Sequence, residues 1–116
     1  MKIVNAKALY INGFNNFSYN FGSIFDITNT IISLSGQLNI IGNNGYMGTG
    51  FKVKGSSIFL LCSGLNATFL TNTALTIGGA IYAMADDDFI KCMFQNNTEN
   101  ANNISMTFID NTASEA

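Results

Sequence analysis

Asp86-Asp87-Asp88 is the densest cluster of chemically useful side chains in the sequence. Three carboxylates offer oxygen ligands to a hard cation such as calcium. Consecutive positions nevertheless lack the alternating ligand spacing of an EF-hand loop, and a solvated turn is the simpler account. Asp26 and Asp110 stand alone in sequence and would do acid/base work only if folding paired carboxylates between coils. The chain has no His and no Arg, so neither a Ser-His-Asp nor a Cys-His nucleophile can be assembled and the strongest bidentate anion clamp is missing. Lys91 lies beside Cys92, but alternation along a strand turns one outward and the other inward. Cys62 and Cys92 specify neither a disulfide framework nor a zinc site; pairing stays open, and two free core thiols are the simpler expectation. The segment Gly42 to Gly50 is rich in Gly but matches neither GxGxxG nor the GK[ST] ending of a phosphate loop, so it reads as a flexible inter-coil loop. The expectation is no enzyme, with no catalytic, metal-binding or cofactor-binding residue and no cofactor.

What remains is surface chemistry. Tyr10, Tyr19, Tyr46 and Tyr82 can contribute to a protein or glycan contact, though without Trp there is no dedicated sugar platform. A formal net charge of -2, with five Lys, gives too little positive charge to neutralise phosphates, which argues against nucleic acid as a partner. The longest apolar run, Ile58 to Cys62, is far short of the roughly 20 residues of a membrane-crossing helix. Asn5 and Lys7 interrupt Met1 to Ile11 before a secretory signal develops. Four sequons, at Asn16, Asn66, Asn96 and Asn103, are what 17 Asn in a Ser- and Thr-rich chain produce by chance.

These residues need elements to carry them. Asn, Gly, Ser and Thr break every window long enough for a helix, and no sustained 3.6-residue apolar period survives. Short apolar patches recur instead: 23–34, 38–41, 50–53, 56–62, 67–70, 80–84, 89–94 and 105–109. They are of strand length, rich in β-branched and aromatic residues, and separated by Gly, so the chain is expected to be all-β. With 47% hydrophobic residues and ten Phe, it can build a core.

An internal repeat refines this expectation. Ile40-Ile41-Gly42-Asn43 leads into Gly50-Phe51-Lys52-Val53, and Phe69-Leu70-Thr71-Asn72 leads at the same distance into Gly79-Ala80-Ile81-Tyr82, 29 residues later. The clearest units are therefore 40–53 and 69–82, a solenoid-like period within a single domain over 1–116. Phe-x-x-Asn recurs at Phe17–Asn20, Phe69–Asn72, Phe94–Asn97 and Phe108–Asn111, giving partial units at 94–97 and 108–113. The physical reading places Phe in a stacked interior column, while Asn at the turn bonds to the backbone and to the equivalent Asn one coil away.

Gly78-Gly79-Ala80-Ile81 together with repeated Phe-x-x-Asn resembles the repeats of the chlamydial-type polymorphic outer membrane protein family. The tightest match is Phe69 to Tyr82, and Phe108 to Ala113 looks like the start of another unit. The resemblance implies a right-handed parallel β-helix passenger; the chain itself reads as a short, incomplete stretch of one, with no evident capping element at either terminus. The resemblance also implies an autotransporter-like location at the cell surface, in the outer membrane or secreted. The expected function is noncatalytic adhesion or display toward a host or neighbouring-cell protein or glycan, with self-association or further coils covering the ends. The alternatives are a fragment of a phage fibre or carbohydrate-acting β-helix, or a truncated fragment with no independent function.

Overall fold

The structure is a computed structural model that describes residues 1–84, 93–96 and 104–114. These residues form a parallel β-solenoid of about three turns, with no helix among them. The first rung holds β1 (Lys2–Val4), β2 (Ala8–Ile11) and β3 (Phe14–Ser18). The second holds β4 (Phe25–Thr28), β5 (Ile31–Leu34), β6 (Gln37–Ile41) and β7 (Asn44–Gly45). The third holds β8 (Phe51–Lys54), β9 (Ile58–Leu61), β10 (Asn66–Leu70) and β11 (Thr73–Ala74). The fourth holds β12 (Ile81–Met84), β13 (Met93–Asn96), β14 (Ser105–Ile109) and β15 (Thr112–Ala113).

Like strands of successive rungs pair in parallel. The first face is ordered β1-β4-β8-β12, the second β2-β5-β9-β13, the third β3-β6-β10-β14, and a short fourth β7-β11-β15. Alternation along each strand sends every second side chain inward. Phe25 and Ile27, Ile32 and Leu34, and Leu38 and Ile40 fill one layer, while Phe51 and Val53, Phe59 and Leu61, and Ala67 and Phe69 fill the next. Burying each large side chain contributes about 1.5–3 kcal/mol. Phe25 stacks on Phe51 with ring centroids 5.0 Å apart, and Phe69 stacks on Phe108 at 4.7 Å.

Several local expectations change. The patch 23–34 is two strands, because Asn29 adopts a left-handed φ of 51° and turns the chain between β4 and β5. Residues 2–18, which show no apolar patch, form the three strands of the first rung. Phe94 pairs with Phe59 on the second face, so the Phe-x-x-Asn at 94–97 does not join the column of the other three, and Asn97 lies outside the described residues. Ile40 takes the vacant place, in register between Phe17 and Phe69. The repeat of 29 residues holds from Asn43 to Asn72, but Phe51 pairs with Ile81 rather than Ala80, a slip of one residue in the intervening loop.

Candidate functional site

The most organised cluster of polar side chains is the corner after the third face. Tyr19, Gly42, Thr71 and Asp110 occupy it on successive rungs, all with left-handed φ between 53° and 65°. The next residue in each rung is Asn20, Asn43, Asn72 or Asn111, and these four amides form a ladder. Asn20 Nδ2 donates to Asn43 Oδ1 (3.1 Å), Asn43 Nδ2 to Asn72 Oδ1 (3.0 Å), and Asn72 Nδ2 to Asn111 Oδ1 (2.8 Å). Each acceptor also receives the backbone N–H of the preceding Asn, at 2.9–3.0 Å. The remaining amide hydrogen bonds one rung back, from Asn43 to the Phe17 carbonyl, Asn72 to Ile40 and Asn111 to Phe69. Asn43 and Asn72 are fully buried, and no described buried side-chain nitrogen or oxygen lacks a partner. Burial of an amide is tolerated only when its donors and acceptors are satisfied, which this geometry achieves at every interior rung. The ladder is the fold's register device, and its amides are committed to one another.

A second amide corner follows the first face. Asn29 Nδ2 donates to Asn5 Oδ1 (2.9 Å), and Asn29 Oδ1 accepts from the Ser56 N–H (2.9 Å). Gly55 replaces Asn on the third rung because any Cβ there would collide with Asn29 Oδ1.

The other sequence candidates are dispersed. Asp86-Asp87-Asp88, Lys91 and Cys92 lie outside the described residues. Asp26 faces outward on β4, in register with Lys2 and Lys52, whereas Asp110 sits at the amide corner two rungs later. The structure does not bring these two carboxylates together. Among the described residues no three His, Cys, Asp or Glu side chains form a metal-binding group. Cys62 carries a free thiol whose Sγ lies 3.3 Å from Ser33 Oγ. The Gly42 to Gly50 segment is not a free loop, since it contains β7 and the buried Asn43. Five of its N–H groups are taken: Gly42 donates to the Leu70 carbonyl, Asn43 to Asn72 Oδ1, Asn44 to the Asn20 carbonyl, Gly48 to Gly78 and Gly50 to Ala80. Tyr10 lies on β2, Tyr19 at the amide corner, Tyr46 after β7 and Tyr82 on β12, so the tyrosines do not converge.

No family model, curated protein or solved structure matches this chain.

What the fold does assemble is an apolar exterior on the second face. Ala8, Ile31 and Ile58 are register partners, as are Tyr10, Ser33 and Leu60. Their inward neighbours Ile32, Leu34, Phe59 and Leu61 are the buried ones, so these rows point out. Tyr10 is 72% exposed and Ile31 42%, and with Lys7, Ala8, Ser33 and Leu60 they line an open depression of about 560 Å³. On the third face one outward row is polar, with Asn16, Asn39, Thr68 and Thr107 in register, and the next runs from Ser18 to the apolar Ile41, Leu70 and Ile109. The sequence signal for the apolar face is the unbroken run Ile58-Phe59-Leu60-Leu61. On a strand such a run must be apolar on both sides, and only one side of a solenoid wall is core. Contact by shape and apolar area is the chemistry this face offers.

Proposed function

We propose that the chain is a noncatalytic β-solenoid display module, carried at a cell surface and engaged in adhesion to a protein or glycan of a host or neighbouring cell. The second-face exterior carries the reading: Ala8, Ile31, Ile58, Tyr10 and Leu60 stand in register on the outside of a rigid parallel wall, where the core gains nothing from them. Exposed apolar rows of this kind mark contact surfaces. Tyr10 adds a ring with a polar tip, suited to a partner that is part apolar and part hydroxylated. The Gly78-Gly79-Ala80-Ile81 and Phe-x-x-Asn resemblance to chlamydial-type outer membrane repeats supports the same location.

The test is protease shaving of intact source cells expressing a tagged chain, with a cytosolic protein as leakage control. Loss of the tag with the control preserved is the expected result. Full protection of the tag while a known surface protein is cleaved overturns display.

A further inference from the structure

The amide ladder has a direction, and its two ends are complementary. At the first rung, no donor among the described residues reaches Asn20 Oδ1, while its N–H and Nδ2 both donate to Asn43 Oδ1. Its Nδ2 lacks a carbonyl one rung back and reaches instead to its own Ser18 carbonyl at 3.2 Å. The equivalent inter-rung bonds of Asn43, Asn72 and Asn111 are 2.9–3.0 Å. At the fourth rung the complement is exposed: among the described residues nothing accepts from the Asn111 backbone N–H or from its second Nδ2 hydrogen, and Phe108, stacked on Phe69 by one face, is 50% exposed. One end therefore offers an acceptor and a displaced donor, and the other offers two donors and a carbonyl.

From this polarity we infer that two copies of the chain associate head to tail, the fourth rung of one receiving the first rung of the next. Asn111 N–H and Nδ2 donate to Asn20 Oδ1 of the next copy, whose Nδ2 turns from Ser18 to the Phe108 carbonyl. The junction repeats the bonding pattern found three times within the chain. The strand edges agree: β3 and β14 each have five residues, and β2 and β13 each have four. Phe17 and Phe108 belong to the same interior column, so the ring stack continues across the joint. A heterologous contact of this kind does not close on itself, and the product is an open linear series. The inference concerns the purified chain, and its failure leaves the display reading intact.

Sedimentation of the 116-residue chain from micromolar to millimolar concentration should give a broad series that lengthens with concentration. Asn20→Lys blocks the head and Phe108→Glu the tail, so each variant alone should run as a monomer. An equimolar mixture should stop at the dimer, because each variant retains one competent end. As a measurement independent of those substitutions, Phe14→Cys and Ser105→Cys are placed singly in a background with Cys62 and Cys92 replaced by Ser. Phe14, Gln37, Asn66 and Ser105 are register partners, and adjacent parallel strands hold such positions within disulfide reach. Oxidation should cross-link the mixture of the two variants and neither one alone. A wild-type monomer at all concentrations, folded end-blocked variants that still polymerise, or absence of the mixed disulfide overturns the inference.

Discussion

Replacing Asn72 with Ala tests whether the ladder or the apolar core holds the rungs in register. The Asn72 side chain makes four bonds. It accepts from Asn43 N–H and Asn43 Nδ2, both at 3.0 Å, and donates to the Ile40 carbonyl at 2.9 Å and Asn111 Oδ1 at 2.8 Å. Asn111 Oδ1 keeps the Asn72 N–H after substitution. The other three groups, two donors on buried Asn43 and the Ile40 carbonyl, lose their side-chain partner inside the protein. At about 1–2 kcal/mol for each group stranded away from water, the cost is about 3–6 kcal/mol. A chain of this length has a total stability of roughly 6–17 kcal/mol, so the loss is a large share of it. With a urea m-value near 2 kcal/mol/M, the unfolding midpoint should fall by about 1.5–3 M. The control is Asn66→Ala, an exposed Asn on β10 of the same rung, expected to stay within about 0.5 kcal/mol of the parent. Urea titrations followed by far-ultraviolet circular dichroism decide it. Midpoints for the two variants within a few tenths molar of each other would refute the assignment of register to the ladder.

Phe51 is fully buried, with Phe25 at 5.0 Å and Phe59 at 5.1 Å between ring centroids, so Phe51→Ala should cost about 3–5 kcal/mol, read by the same titration. Gly13 and Gly36 have nearly equal left-handed φ, 78° and 74°, but a Cβ on Gly13 meets nothing within 4 Å whereas one on Gly36 overlaps the Gly13 carbonyl. Gly36→Ala should therefore exceed Gly13→Ala by about 1–3 kcal/mol in urea unfolding, the cost of forcing two rungs apart. Thr71 is a β-branched residue held at φ 53°, at the corner place where the previous rung has Gly42. Thr71→Asn should raise stability by about 0.5–1 kcal/mol, visible as a higher thermal midpoint, because Asn tolerates the left-handed region better.

The parallel coil was legible because its demands fall on few residue types. Asn72 and Asn111 announce a corner because an amide can donate to one rung and accept from the other, and Phe three residues earlier announces the wall beside it. The same motif misled where its letters were not its physics. The interior column requires bulk and accepts Ile40, so that column has no Phe at the Asn43 rung, while Phe94 belongs to a strand that pairs with β9, opposite Phe59. Asn29 hid a corner inside an apolar stretch because left-handed φ leaves no mark on hydropathy. The first rung was hidden for another reason: β3 reads Phe-Asn-Asn-Phe-Ser, and as an end strand it has a neighbour on one side alone. The apolar second-face exterior depended on knowing which side of Ile58 to Leu61 was the core, which only the folded wall supplies.

The rungs differ in length while the corner stays the same. Between successive ladder amides the chain travels 23, then 29, then 39 residues, yet each time it returns to the same corner with the same bonds. Register is therefore imposed at the corner, by a left-handed residue followed by Asn, and not by counting residues around the coil. Loop closure grows only logarithmically with length, so added residues between strands cost little once the corner is fixed. Nine of the ten additional residues of the fourth rung fall between β12 and β14, the stretch that contains Asp86-Asp87-Asp88. A fold organised in this way separates what holds the coils together from what its loops present. Change in the loops leaves the ladder intact, whereas change at Asn43 or Asn72 breaks bonds to both the rung before and the rung after.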